Sequence, residues 1–409
     1  MSAVRLRVGA VVLLTVLSAV LALSSGQEMY FRLCYILLLV LAAGWVWTRF
    51  SLHRLQVNYE GSRTYATVGE TVTEHMTVVN DSLLAKLWLE VELLTDIPDV
   101  SNQHVTNLQP HGERTWRIQF ACMQRGRFRI GPTRVASGDP FGLFRREAML
   151  GGRYDLTVYP AAVPLSRFIL PPADLPGEGR YRRRTHFVTP NASGVREYVY
   201  GDSYNRIHWP TTARSGKLMV KEFELDPAAE TWIILDLDSS VQAGSGLQST
   251  EEYSVAAAAT VAKHYLDANR PVGLLAYGHH LDLFRPDRGG HQMARLMEAL
   301  ALAEATGNVR LAELLAGEAR RFGRFSTLLI ITSSTDETWV QQLQHLIRRG
   351  ARAAVILVEP STFGVQQSPL LAVSALAATG VQSYLVKKAA TIGEALKVLE
   401  SSGDAGGGA

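Results

Sequence analysis

Residues 231–240 read TWIILDLDSS, and a second run of the same kind, STLLIIT, occupies residues 326–332. Thr231–Leu237 is apolar at successive positions rather than at alternate ones, the pattern of a short strand buried on both faces. Working outward, the period becomes helical: Glu251–Asn269 is an alanine-rich helix and Pro271–Tyr277 (PVGLLAY) a strand. His291–Ala305 and Leu311–Phe322 read as helices, Ser326–Thr332 as a strand and Thr338–Arg349 as a helix. Ala353–Val358 and Gln382–Val386 are further strands, and Ile392–Leu399 is a last helix. Strands alternating with helices predict an α/β domain over 230–400, built of parallel βαβ units with helices on both faces. The Gly-rich stretch 401–409 is expected to be a disordered tail.

Upstream, residues 55–160 carry a different period. Thr71–Val79 (TVTEHMTVV), Trp88–Leu94 (WLEVELL) and Thr115–Phe120 (TWRIQF) are strand-like, with turn signals at Asn80-Asp81, Pro98-Asp99 and Pro110-His111-Gly112. Strands at that spacing predict a small all-β sandwich. Residues 161–229 lose any period, with Pro164, Pro171, Pro172 and Pro176 ahead of the basic run Arg180–Arg184, and read as a linker. That basic run is either a solvated face or a patch drawn to anionic lipid heads.

The amino-terminal fifty residues decide the compartment. Val8 to Gln27 holds no charged residue, and a second uncharged run follows over Leu33–Thr48. About 20 residues at about 1.5 Å each reach the thickness of a bilayer core. The first run also resembles a cleavable signal peptide, with Ala22-Leu23-Ser24 at its end, but a second apolar run so close fits a hairpin better. We therefore expect a transmembrane hairpin over 1–50, with spans near 8–25 and 31–48 and a polar turn at Glu28–Arg32. Arg5 and Arg7 lie on one side with Arg49 and Arg54, so the positive-inside rule predicts a multi-pass plasma-membrane protein whose soluble domains are cytoplasmic. Over the whole chain, 41 Lys+Arg against 38 Asp+Glu leaves +3, no excess that calls for nucleic acid. Two cysteines, Cys34 and Cys122, cannot form a disulfide framework.

Two motifs stand out. Residues 125–144 read RGRFRIGPTRVASGDPFGLF, and residues 194–224 read GVREYVYGDSYNRIHWPTTARSGKLMVKEFE. Together they resemble the bacterial membrane proteins of the "domain of unknown function 58" family. The resemblance rests on the box Asp139, Pro140, Phe141, Gly142, Leu143 and Phe144. It rests equally on Arg196, Glu197, Tyr198, Gly201, Asp202, Arg206, Ile207, His208, Trp209, Ala213, Arg214, Val220 and Lys221. Pro210 stands where the family commonly has Lys. The resemblance implies a von Willebrand factor A-like carboxyl-terminal domain and a partner among the MoxR-type AAA+ ATPases. The charged residues of the second motif admit two readings, a buried ion-pair lattice or a docking surface anchored by Trp209.

In von Willebrand A domains a divalent cation sits on an Asp-x-Ser-x-Ser loop, a Thr from a second loop and an Asp from a third. The resemblance places Asp236, Asp238 and Ser240 at the first loop, with Asp238 in place of the first Ser. It places Gly289-Gly290-His291 at the second loop and Ser333 at the third, with Asp336 displaced by three. Mg²⁺ would need hard oxygen ligands at positions where His291 and Ser333 stand, so no cofactor is expected. The alternative is that Asp236 caps local backbone donors. Asp236 and Asp238 also resemble the nucleophile and acid/base pair of haloacid dehalogenase-type phosphatases, but no later acidic pair follows to hold their Mg²⁺. No Gly-x-x-x-x-Gly-Lys-Ser/Thr loop occurs. The expectation is a non-enzymatic, membrane-anchored scaffold for a MoxR-type ATPase, with a metal-dependent adhesion-type module or such a phosphatase as the alternatives.

Overall fold

The computed structural model describes residues 2–60, 63–98, 100, 102–165, 168, 192–199, 207–223, 230–366 and 368–396. They fall into two compact units, Met1–Ala161 and Ala162–Ala409.

The first unit begins with two antiparallel helices, α1 (Ser2–Ser25) and α2 (Glu28–Ser51). Both are long and apolar enough to cross a membrane, over Leu6–Ser25 and Glu28–Ser51. The polar turn expected at Glu28–Arg32 lies instead at Gly26-Gln27. Gly26 takes a φ of +64° and its N–H donates to the Ala22 carbonyl, which ends α1 in the manner glycine favours. Glu28 opens α2 and pairs with Arg32 one turn on at 2.9 Å, so charges read as helix breakers sit within its first turns.

A β-rich region follows: β1 (Leu55–Glu60), β2 (Tyr65–Thr67), β3 (Thr71–Asn80), β4 (Lys86–Thr95), β5 (Gln103–Leu108), β6 (Glu113–Ala121), β7 (Gly126–Gly138), β8 (Arg145–Leu150) and β9 (Tyr154–Tyr159). One sheet runs β1-β3-β6 and another β2-β9-β7-β4-β5, with β8 paired to β7. All pairings are antiparallel except β2 with β9. Alternate residues point inward: Val72, Met76 and Val78 of β3 meet Leu89, Val91, Ile130 and Leu156 in one core.

The last inward residue of β3 is polar. Asn80 is fully buried, and its Nδ2 donates to the Leu84 carbonyl at 3.0 Å and the Gln109 carbonyl at 2.8 Å. Its Oδ1 accepts from the Ser82 N–H and hydroxyl. One side chain thus fixes both loops at this end of the sheet. Replacing Asn80 by alanine leaves these groups unpaired and is expected to cost about 2–4 kcal/mol, read as a lower denaturation midpoint.

The link from α2 to β1 is short, and the β-rich region caps the helix. Lys86 is buried, and its Nζ donates to the Phe50 carbonyl at 2.7 Å. Arg146 donates to the Arg49 carbonyl at 2.9 Å. Both cations serve the carbonyl end of α2, where the helix dipole favours positive charge. Burial lowers the Lys86 pKa.

The second unit opens with an antiparallel hairpin, β10 (Ala192–Glu197) and β11 (Met219–Phe223), flanking the short helix α3 (Trp209–Ser215). Ahead of α3, Ile207 is buried and bridges to Val220. There follow β12 (Glu230–Leu235), the small hairpin β13 (Gly244–Ser245) and β14 (Gln248–Ser249), α4 (Thr250–Asp267) and β15 (Val272–Tyr277). Next come β16 (Leu281–Asp287), α5 (Gly289–Leu302), α6 (Leu311–Gly317), β17 (Ser326–Thr332) and α7 (Thr338–Arg348). The unit continues through β18 (Arg352–Val358), α8 (Leu370–Ala378), β19 (Gln382–Val386) and α9 (Ile392–Ala395).

Six strands form one sheet in the order β16-β15-β12-β17-β18-β19, parallel except for β16 at its edge. Trp232 and Ile234 pack with Leu314, Leu315, Trp339 and Leu343. The alanine-rich α4 lies against β12, β15, β17 and β18, its start capped by Ser249 Oγ on the Glu252 N–H. β12, buried from Thr231 onward, sits inside the sheet, so the residues just after it emerge at its carboxyl edge beside those after β17.

Candidate functional site

Asp236 follows β12 directly and is 3% exposed. Its Oδ1 accepts the Asp238 N–H at 3.2 Å, and its Oδ2 accepts the Thr332 hydroxyl at 2.5 Å. Thr332 ends β17, and its Oγ1 in turn accepts the Ser334 N–H at 2.9 Å. Parallel pairing of β12 with β17 puts Leu235 beside Ile331, which brings these residues together across 96 positions of sequence. Burial pushes the Asp236 carboxyl up to about 6, helped by the Asp238 charge and opposed by the Thr332 and Asp238 hydrogen bonds.

Asp238 is also buried. Its Oδ1 accepts the Ser240 N–H at 3.0 Å and starts a turn of 3₁₀ helix over Ser239–Val241, while Ser240 itself is exposed. The carboxylates therefore organise their own loop. Gln242, which the sequence did not single out, ties the next layer: its Nε2 donates to the Asp236 carbonyl at 3.2 Å. Its Oε1 accepts from Thr250 at 2.6 Å and from Ser333 at 3.3 Å. Ser333 is thus buried beside Gln242.

The loop that meets Asp238 is not the expected one. Gly289-Gly290-His291 begins α5, and His291 is exposed there. Instead the segment after α5 reaches the site. Gly307 pairs with Asp238 in a parallel bridge, donating to the Leu237 carbonyl at 3.0 Å and accepting from the Ser239 N–H at 2.9 Å. This carries Arg310 into a cavity of about 310 Å³ lined also by Asp236, Asp238, Ser240, Ser334 and Asp336. Asp336, three positions beyond Ser333, does reach the cavity. Its carboxyl is held below the usual range by the Thr338 hydroxyl and N–H, with Arg310 adding attraction. Arg310 and Gln242 carry no motif, so only the loop path reveals them. Among the described residues no group of three or more His, Cys, Asp or Glu is disposed to hold a metal ion.

The second motif is partly described. Gly201, Asp202 and Arg206 lie outside the described residues, as does the basic run Arg180–Arg184; the Arg196 and Lys221 side chains do too. Glu197 and Lys217 pair at 2.7 Å with both side chains mostly exposed. His208 Nδ1 bonds the Thr211 hydroxyl at 2.8 Å, in the turn that starts α3. The Tyr198 N–H donates to the Leu218 carbonyl at 2.8 Å and so extends the hairpin. Trp209 is 65% exposed, and Arg214 is exposed on the same short helix. Of the motif's charged residues only Glu197, Arg214 and Lys217 have described side chains, and these are exposed, as is Trp209; the other members of the ion-pair reading lie outside the described residues.

The first motif belongs to the other unit. Asp139 is buried and accepts the Phe141 N–H at 2.9 Å and the Phe144 N–H with its two carboxylate oxygens. Gly142 takes a φ of +67°, which closes the turn, and Leu143 is buried.

Residues 194–368 match the family model described as "Protein of unknown function DUF58". That stretch runs from β10 past β18, so it holds both α3 and the Asp236 cavity. The uncharacterized protein YeaD of Bacillus subtilis (strain 168) is 25% identical over 189 residues, 46% of this chain and 46% of that protein. The uncharacterized protein Rv1480 of Mycobacterium tuberculosis H37Rv is 28% identical over 173 residues, 40% of this chain and 54% of its own. The chain thus spans about half the length of the curated relatives it matches. Among solved structures, the CARDB domain of PF1109 from Pyrococcus furiosus is similar at 17% identity and a TM-score of 0.21, over 26% of this chain and 94% of that one.

Proposed function

We propose that this protein is a non-enzymatic scaffold of the domain of unknown function 58 family, anchored in the plasma membrane by α1 and α2. In this reading a von Willebrand A-like second unit is offered to a MoxR-type AAA+ ATPase in the cytoplasm. The strand order β16-β15-β12-β17-β18-β19, with its antiparallel edge, supports the von Willebrand A-like assignment. Arg7, Arg49 and Arg54 on one side of the hairpin support a cytoplasmic β-rich region. The identity of the partner comes from the family resemblance alone, an associational warrant.

The observation that carries a docking role is the exposure of Trp209 and Arg214. A tryptophan left largely in water on a helix of seven residues contributes little to the fold, whereas aromatic and arginine side chains dominate binding energy at interfaces. Affinity capture of the detergent-solubilised protein is expected to recover the ATPase with wild type and to lose it with Trp209→Ala and Arg214→Ala. Because both side chains are exposed, the variants should melt as wild type does. Equal recovery by all three proteins would remove the docking role of α3.

A second reading has one observation in its favour. Asp236, Asp238 and Asp336 line one cavity, as the acids of a metal-dependent adhesion-type module would, although they are not disposed as a set of three around one ion. Arg310 on the same wall is a charge such a cation would have to face.

A further inference from the structure

The Asp139–Phe144 box lies outside the stretch that matches the family model, and the Asp236 site does not use it. Its place in the first unit suggests what it does. The box packs on α2 itself: a Cβ added at Gly44 would lie 3.2 Å from the Phe144 ring and 3.3 Å from Asp139 Oδ2. Only a small residue on α2 admits so close an approach. Gly44 lies five residues before Arg49, which places the contact about 7 Å further along the helix toward the bilayer centre than that arginine.

The rest of this end of the β-rich region is also at the membrane side. Lys86 and Arg146 hold the Phe50 and Arg49 carbonyls. Arg7 of α1 reaches the box, its guanidinium 3.3 Å from where a Cβ at Gly142 would be. Three large apolar side chains nevertheless face outward here. Phe141 at the tip of the box is 55% exposed, and Leu83 and Leu84, in the loop pinned by Asn80, are 81% and 57% exposed. On α2 at the same level, Trp45 and Trp47 are exposed as an aromatic belt would be. Among the described residues, Arg7, Arg49, Arg54 and Arg146 have no carboxylate partner. Apolar tips beside unneutralised arginines match the boundary between acyl chains and anionic headgroups.

We infer that the Asp139–Phe144 box is a membrane-embedded foot, which seats the β-rich region on an anionic phospholipid leaflet by inserting Phe141, flanked by Leu83 and Leu84, at the headgroup–acyl boundary. Asp139 is the internal brace of this foot, since its carboxylate folds the turn that points Phe141 outward. The inference rests on α2 spanning the bilayer.

The test uses the full chain carrying Cys34→Ser and Cys122→Ala, reconstituted in vesicles of equal parts phosphatidylcholine and phosphatidylglycerol. Nitroxide labels are placed singly at Phe141→Cys, Leu84→Cys, Leu39→Cys on α2, and Met123→Cys. Met123 follows β6, whose Ala121 pairs with Thr71 at the far end of β3, about 30 Å from Asn80. Collision with oxygen, which concentrates in lipid, is compared with collision with a water-soluble nickel chelate. The Phe141 and Leu84 labels should favour oxygen as Leu39 does, with nickel accessibility at least about fivefold below that at Met123. Nickel-accessible labels at Phe141 and Leu84 beside an oxygen-accessible Leu39 overturn the foot and leave the span standing. A nickel-accessible Leu39 removes the span and the foot with it. Labels at Phe141 and Leu84 shielded from both reagents show a protein surface covering them, and the lipid assignment fails.

Discussion

Replacing Gly307 by alanine is expected to destabilise the second unit by about 3 kcal/mol or more, a large effect for one added methyl group. A Cβ at Gly307 would overlap the Tyr277 carbonyl oxygen and lie 2.8 Å from that of Leu237. Both are backbone atoms of the sheet edge, so no rotamer change relieves the overlap. The segment must move away, which breaks its hydrogen bonds to Leu237 and Ser239, each worth about 1 kcal/mol. Arg310 leaves the cavity with it. Gly290→Ala is the control, since nothing lies within 4 Å of its added Cβ and α5 welcomes alanine. Thermal unfolding of the two variants in detergent should separate them by several degrees. A Gly307→Ala protein that melts as wild type would show that the Asp238–Gly307 bridge is not formed.

The second large effect concerns the charge on Asp236. A free aspartate ionises near 3.9 and Asp236 near about 6, so between these values the folded state binds more protons than the unfolded one. Stability is fully present below about 4, falls as pH rises through about 6, and is level above that. The gap corresponds to about 3 kcal/mol lost by neutral pH. Asp236→Asn keeps an oxygen for the Asp238 N–H and turns an Nδ2 donor toward the Thr332 hydroxyl, as the protonated acid does, yet carries no charge. It should therefore melt above wild type at about pH 7.5 and level with it near pH 4, in buffer containing a chelator. Added Mg²⁺ should leave the wild-type value unchanged. A rise with Mg²⁺ to the level of Asp236→Asn, absent in that variant, would instead favour the cation-binding reading.

The elements that a one-dimensional pattern can specify were the ones it revealed. Ser326–Thr332 and Gln382–Val386 occupy the expected residues, and the strand expected at Thr231–Leu237 stops at Leu235 because Leu237 has already turned into the Asp236 loop. β16 was missed because LDLFRPD is an edge strand, only partly buried and carrying Pro286, so it shows neither a fully apolar run nor a clean alternation. α8 was missed for the opposite reason, since LLAVSALAA is apolar all round and shows no helical period. In the site, the Asp236 loop was legible from its place after a buried strand. Gly307 and Arg310 were not, because their role depends on where the chain turns after α5, and the resemblance pointed to the glycines before that helix instead. The function of the Asp139 box was illegible for a similar reason, because its partner is Gly44, some 95 positions upstream.

The caps on α2 carry one more consequence. Only Leu52–Arg54 separate α2 from β1, and the last carbonyls of the helix are held by Lys86 and Arg146 from β4 and β8. A swivel needs free backbone, and here the backbone groups that would turn are already bonded to the body they would turn against. The β-rich region is therefore a stiff lever rather than a weight on a string. Torque applied to it is delivered to α1 and α2, and where these candidate membrane-spanning helices cross a bilayer, their tilt would tilt the lever with them.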